Sequence, residues 1–203
     1  MKLVRDGQLS LSTTMDRYFP SLQGASKITV ANLLGHSSGL PDMLFIEPFA
    51  GNMAKAYTPE ELLDMVIKKG TLDFEPGERA EYSNTGYLVL GLLIEKVSGR
   101  SYNDFLQQSV TAPLAMDRTG LGTDQAIVPW RAAGYTIEND AAGKARVLNA
   151  QWVSIIPPFS TGAVLSRPTD FIRLIDMDNL LGSDTVKKMM KPGRVAHDKA
   201  VPL

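Results

Sequence analysis

Cysteine is absent from the 203 residues. That excludes disulfides, thiolate metal sites and cysteine nucleophiles together. Histidine is nearly absent, with His36 and His197 the only two. A histidine-rich metal centre therefore has no ligand set, and a Ser-His-Asp triad would have to use one of these two. Charge of one sign is missing as well. Lys and Arg number 21 against 22 Asp and Glu, a formal net charge of -1. Bulk charge thus gives no reason to expect nucleic acid or an anionic membrane surface as partner. Long apolar runs are also missing. The longest, 87–94, contains Gly91 and is too short to span a bilayer. The opening residues, Met1-Lys2-Leu3-Val4-Arg5-Asp6-Gly7, are charged and lack the apolar stretch of an export signal. Read alone, the chain is expected to be soluble; without an export signal it reads as cytoplasmic as given, and its compartment is unknown.

What is present looks globular. Apolar residues make up 44% and charged residues 21%, enough for one packed domain and too apolar for disorder. No repeat or low-complexity tract interrupts it. Met1 to Arg5 reads as the last turn of a helix closed by Gly7, and one turn is not stable alone. Thr29 caps a short helix over 29–34. Thr58-Pro59-Glu60-Glu61 opens another, with a cap, proline at the first helical position and glutamate at the capping-box position. Gly70 ends it. After Asn84 a helix runs to 97, apolar nearly all round, which predicts a central buried helix. Ser101 caps a further helix ending near Pro113. Residues 135–138 and 145–149 pair as a hairpin. Helices over 168–180 and 184–191 follow, and 192–203 is expected to be an irregular tail. With so few strands the expected class is α+β, mostly α.

Two local patterns can carry chemistry. Gly35-His36-Ser37-Ser38-Gly39 fits Gly-x-Ser-x-Gly, the nucleophile elbow. That mechanism needs a strand before the serine and a helix after it. Here a short helix precedes and Pro41 follows, so a tight turn closing a helix end is the better reading. Ser37 remains an alternative nucleophile, with His197 the only distant base. The second pattern is Tyr82-Ser83-Asn84. Residues two apart on an extended piece point the same way, and the helix N-terminus beyond them favours negative charge. The alternative is that Tyr82 packs and Asn84 caps the helix. His36 reads as bonded within its turn, Trp130 and Trp152 as cleft or packing residues, and Met189-Met190 as helix packing.

Longer blocks add a resemblance. Ile28-Thr29-Val30-Ala31-Asn32-Leu33-Leu34-Gly35-His36-Ser37-Ser38-Gly39-Leu40-Pro41 resembles a block of the serine β-lactamase family, in the branch of class C β-lactamases, penicillin-binding carboxypeptidases and related esterases. Phe74-x-Pro76-Gly77-Glu78 through Tyr82-Ser83-Asn84-Thr85-Gly86-Tyr87 resembles a second block. Leu90 to Gly99, Pro113-Leu114-Ala115-Met116 with Thr119, and Ser160-Thr161-Gly162-Ala163-Val164-Leu165-Ser166 with Asp170 continue in family order. Leu3-Val4-x-x-Gly7-x-Leu9-Ser10-Leu11 resembles the segment after the family's nucleophile helix.

The resemblance implies acyl transfer from an amide, β-lactam or ester carbonyl to a serine in a Ser-x-x-Lys motif. It implies Tyr82 as general acid/base and Asn84 as the residue that positions the substrate. Expected ligands are small β-lactams, peptides or esters, and no cofactor or metal is expected. The fold it implies is a central antiparallel sheet with flanking helices and a mainly helical lobe. No Ser-x-x-Lys, Lys-Thr-Gly or His-x-Gly occurs in the 203 residues. In the family these lie outside the blocks matched here, so the chain is expected to be one incomplete domain over 1–203, holding the centre and helical lobe but little of the main sheet. An apolar face should then be exposed, inviting a second copy or a complementing segment. A free tyrosine ionises at about pH 10, so Tyr82 without cationic neighbours is expected to leave the chain inactive by itself; the alternative is a non-catalytic remnant that keeps a ligand cleft.

Overall fold

The computed structural model describes residues 1–140, 143–151, 153–191, 193–196 and 200–201. Helices dominate them. α1 (Lys2–Arg5) buries Leu3. Residues 8–28 form turns rather than regular structure, yet they drive Met15, Phe19, Leu22, Ala25 and Ile28 into the interior. The Met15 N–H anchors this stretch on the carbonyls of Ala25 and Ile28, both at 3.0 Å. α2 (Val30–Leu34) and α3 (Pro59–Lys69) start on full capping boxes, Thr29 with Asn32 and Thr58 with Glu61. Each box satisfies two helix-end N–H groups reciprocally.

α4 (Asn84–Ser98) is the pillar of the core. Its Leu88, Val89, Leu92 and Leu93 join Val30 and Leu33 of α2 and Leu62, Leu63 and Val66 of α3 in one apolar cluster. The all-round apolar sequence of α4 is what lets α2 and α3 pack on it at once. α5 (Tyr102–Leu106) follows, capped by Ser101, and widens into a π turn over Gln107–Thr111. α6 (Phe159–Gly162) lies against α4 at Gly91. A Cβ there would sit 2.1 Å from the Ser160 hydroxyl, so only glycine permits the approach. Ser160 Oγ donates to the Tyr87 carbonyl at 2.8 Å across the same contact.

Strands are short and paired in twos. β1 (Gly120–Leu121) runs antiparallel to β4 (Val164–Leu165). β2 (Tyr135–Asn139) and β3 (Ala145–Asn149) form the expected hairpin, with Tyr135 opposite Asn149 and Ile137 opposite Val147. Tyr135, Ile137 and Val147 share one face of it and stand exposed, a small uncovered apolar surface. No larger sheet occurs among the described residues.

Three expectations need correction. The helix over 168–180 is broken into α7 (Pro168–Phe171), a 3-10 turn over Ile172–Asp176, and α8 (Met177–Leu181). Phe171, Ile172 and Ile175 are exposed, so no buried stripe holds a continuous helix together. α9 (Ser183–Met189) forms, but Met190 beyond it is exposed rather than packed. Within the supposedly irregular 192–203, β5 (Gly193–Arg194) pairs with β6 (Ala200–Val201).

The segment around α7 is tied down by one carboxylate. Asp170 is fully buried. It accepts from Arg167 Nε at 2.6 Å, Arg118 N at 2.8 Å and Thr119 Oγ1 at 3.1 Å. Burial opposes its ionisation, but these bonds outweigh it and hold the carboxyl below its ordinary range. No helix among the described residues is long and apolar enough to cross a membrane.

Candidate active site

The turn after α2 and the approach to α4 are built on each other. Ser37 N–H bonds back to the Asn32 carbonyl at 2.8 Å. The carbonyls of His36, Ser37 and Gly39 then accept from the N–H groups of Glu81 (2.9 Å), Gly77 (2.8 Å) and Asp73 (2.8 Å). Residues 73–81 are thereby laid along the turn without forming a strand. Gly39 has φ +76°, and its hydrogen faces the Phe74 carbonyl where a Cβ would lie 1.9 Å from the oxygen. Close backbone packing of the two segments therefore depends on glycine here. It delivers Tyr82, Ser83 and Asn84 to the start of α4.

Tyr82 is 66% exposed. Its hydroxyl donates to Asn84 Oδ1 at 3.3 Å, its one hydrogen bond among the described residues. Under its ring lies His36, at 4.5 Å between centroids, with Tyr87 5.1 Å away on the imidazole. His36 adopts φ 52°, an uncommon conformation for a residue with a Cβ. Its Nδ1 accepts the Ser83 N–H at 3.3 Å, so the neutral ring carries its proton on Nε2. Burial lowers the pKa of His36 from its ordinary value. Tyr87 donates to the Leu34 carbonyl at 3.3 Å, and burial followed by the neighbouring Tyr82 raises its pKa.

Asp42 closes the site from the other side. Its Oδ2 accepts from Asn84 Nδ2 at 2.8 Å and from Asn84 N at 3.3 Å. Its Oδ1 accepts from Leu44 N at 3.0 Å. On either side of Asp42, Thr85 Oγ1 donates to the Pro41 carbonyl at 2.6 Å and accepts from Met43 N at 2.9 Å. A cavity of about 120 Å³ lies beside the tyrosine, lined among others by Asp42, Phe45, Phe74, Glu81 and Ser83. Ser83 Oγ is buried without a partner among the described residues.

The fold thus brings Tyr82 and Asn84 together and joins them to His36 and Asp42. Ser37 lies elsewhere in chemical terms. It is buried, and its Oγ accepts from Asn32 Nδ2 at 3.1 Å, inside the turn. His197 and Trp152 fall outside the described residues. Trp130 is fully exposed and lines an open cleft with Arg118, Leu165 and Pro168, the cleft rather than the packing alternative. The roles of His36 and Asp42 were missed in the sequence. Asp42 and Asn84 are 42 positions apart, and no local pattern pairs them. No cluster of potential metal ligands occurs among the described residues.

With this geometry in place, the relatives become informative. A family model described as Beta-lactamase matches residues 1–203. The chain belongs to the beta-lactamase family. Penicillin-binding protein 4* of Bacillus subtilis (strain 168) is 38% identical over 120 residues, covering 58% of this chain and 26% of that protein. The crystal structure of D-amino acid amidase from Ochrobactrum anthropi SV3, complexed with D-phenylalanine, superimposes with a TM-score of 0.77 at 30% identity. That match covers 94% of this chain and 55% of the amidase. The octameric penicillin-binding protein homologue from Pyrococcus abyssi gives a TM-score of 0.72 at 29% identity, over 95% of this chain and 45% of that one. These matches therefore cover a quarter to about a half of the length of the relatives. Its mostly helical architecture with two-stranded sheets is that of part of a β-lactamase-like fold.

Proposed function

We propose that these residues carry the Tyr-x-Asn half of a serine acyl-transfer site for β-lactam, peptide or ester carbonyls. The observation that carries this is the exposed Tyr82 hydroxyl, bonded to Asn84 at the start of α4 and backed by His36. In a chain matched end to end by the family model, Tyr82 acts as the acid/base group. Asn84 holds the acyl side of the substrate. Proton transfer by a placed side chain contributes about a hundred- to ten-thousand-fold to rate, but only beside a nucleophile. The 203 residues contain no Ser-x-x-Lys. By themselves they bind such ligands without turning them over.

The test mixes the purified chain with a chromogenic cephalosporin and a short-chain nitrophenyl ester, then with a reactive penicillin and mass spectrometry. No turnover and no covalent adduct are expected. Turnover lost on Tyr82→Phe would overturn the inactive reading. An adduct on Ser37 would favour the elbow, against which its burial and its bond to Asn32 speak.

The exposed Tyr135, Ile137 and Val147 face supports association with a second copy of the chain. The Pyrococcus abyssi relative is itself octameric.

A further inference from the structure

We infer that Asp42 is the positioning residue of the Tyr82–Asn84 pair, deciding which end of the Asn84 amide faces the phenol. This rests on the acyl-transfer reading of the site. An amide has two ends of nearly the same shape and opposite hydrogen-bonding sense. Its orientation is set by its neighbours alone. A carboxylate only accepts, and Asp42 Oδ2 lies 2.8 Å from Asn84 Nδ2. Turning the amide over would set oxygen against carboxylate oxygen at that distance, forfeiting a charge-assisted bond and leaving a repulsive contact. The NH2 end therefore faces Asp42 and Oδ1 faces Tyr82, whose hydroxyl donates to it.

Asp42 can impose this because it is itself immobilised. Leu44 N–H holds its other oxygen. Its two chain neighbours are clamped by the single hydroxyl of Thr85, one residue after Asn84. Asp42 also accepts the Asn84 backbone N–H, a helix-end donor that the Ser83 side chain leaves uncapped. The carboxylate and the amide are thus parts of one rigid joint between residues 41–44 and the start of α4. The consequence for chemistry is a fixed polarity. Asn84 meets the phenol as an acceptor, and one of its two amide hydrogens stays free for a substrate carbonyl.

The experiment reads the Asn84 side-chain amide directly by 15N NMR of the whole chain. One Nδ2 proton should resonate downfield and exchange slowly with water. Asp42→Asn keeps shape and the acceptor for Leu44, and should speed that exchange several-fold and move the resonance upfield. Tyr82→Phe, at an exposed position, should leave the Nδ2 signals as they are. An Asn84 amide unchanged by Asp42→Asn in a folded chain would overturn the inference. So would a shift as large from Tyr82→Phe as from the aspartate change. Should Asp42→Asn fail to fold, the slow Nδ2 proton of the unmodified chain and the Tyr82→Phe arm still decide the matter. Neither readout needs catalysis, so failure here is distinct from failure of the proposed function.

Discussion

Gly39→Ala tests how the site is assembled. The glycine sits at φ +76° where an added Cβ would be 1.9 Å from the Phe74 carbonyl oxygen, against an ordinary contact of 3.4 Å or more. A left-handed residue with a Cβ costs about 1–2 kcal/mol. The clash adds to this, because residues 73–74 must withdraw by more than an ångström. Withdrawal breaks the bond from Asp73 N–H to the Gly39 carbonyl, worth about 0.5–1.5 kcal/mol. The combined loss is about 1.5–3.5 kcal/mol. For a chain of this size that lowers the thermal midpoint by about 3–14 °C. Gly99→Ala is the control. Gly99 has φ +67° with nothing within 4 Å of the added Cβ, so it should lose the conformational part alone, about 1–2 kcal/mol. Thermal melts followed by circular dichroism measure both, and the ring signals of His36 and Tyr82 should move only in Gly39→Ala. Equal destabilisation by the two alanines would refute the claim that backbone contact with Phe74 sets the position of Tyr82.

Three more outcomes follow from the same geometry. Thr85→Val keeps the shape but leaves the Met43 N–H and Pro41 carbonyl without their partner; urea unfolding should show a loss of about 2–3 kcal/mol, and a loss within error would mean the joint relaxes. His36 is held below its ordinary pKa by burial, so the unfolded chain binds the proton first. Its contribution is therefore complete above about pH 6.5, the unfolded value, and drains away as pH falls towards the lower folded one. Unfolding midpoints should show this slope between pH 7 and 5, and His36→Phe should flatten it; the same slope in both chains would assign it to other groups. Light scattering at rising concentration should show association that Ile137→Lys with Val147→Lys suppresses, whereas a concentration-independent monomer would remove the hairpin face as a contact surface.

Much of the local structure was legible because it is written locally. Thr58-Pro59 with Glu61 announces α3, and Thr29 with Asn32 announces α2, through bonds spanning three residues. The apolar run from Leu88 to Ile94 fixes α4 as the pillar, since a helix without a polar face has to be surrounded. The segment over 168–180 was misread because its apolar residues lack the buried partner that would have kept the helix whole.

The sequence by itself determined the family blocks, the helices that carry the core and the presence of Tyr82 and Asn84 two positions apart. It also excluded cysteine chemistry and a histidine-rich metal centre. Only the tertiary structure decided what surrounds that pair. His36 becomes the platform under Tyr82 because the carbonyls of 36–39 receive the N–H groups of 73–81. Asp42 becomes the partner of Asn84 because Thr85 bonds both sides of it. Such contacts join residues about 40 positions apart, and chain periodicity holds no record of them; they come into being when α4 is buried and its first turn has to find partners for its donors.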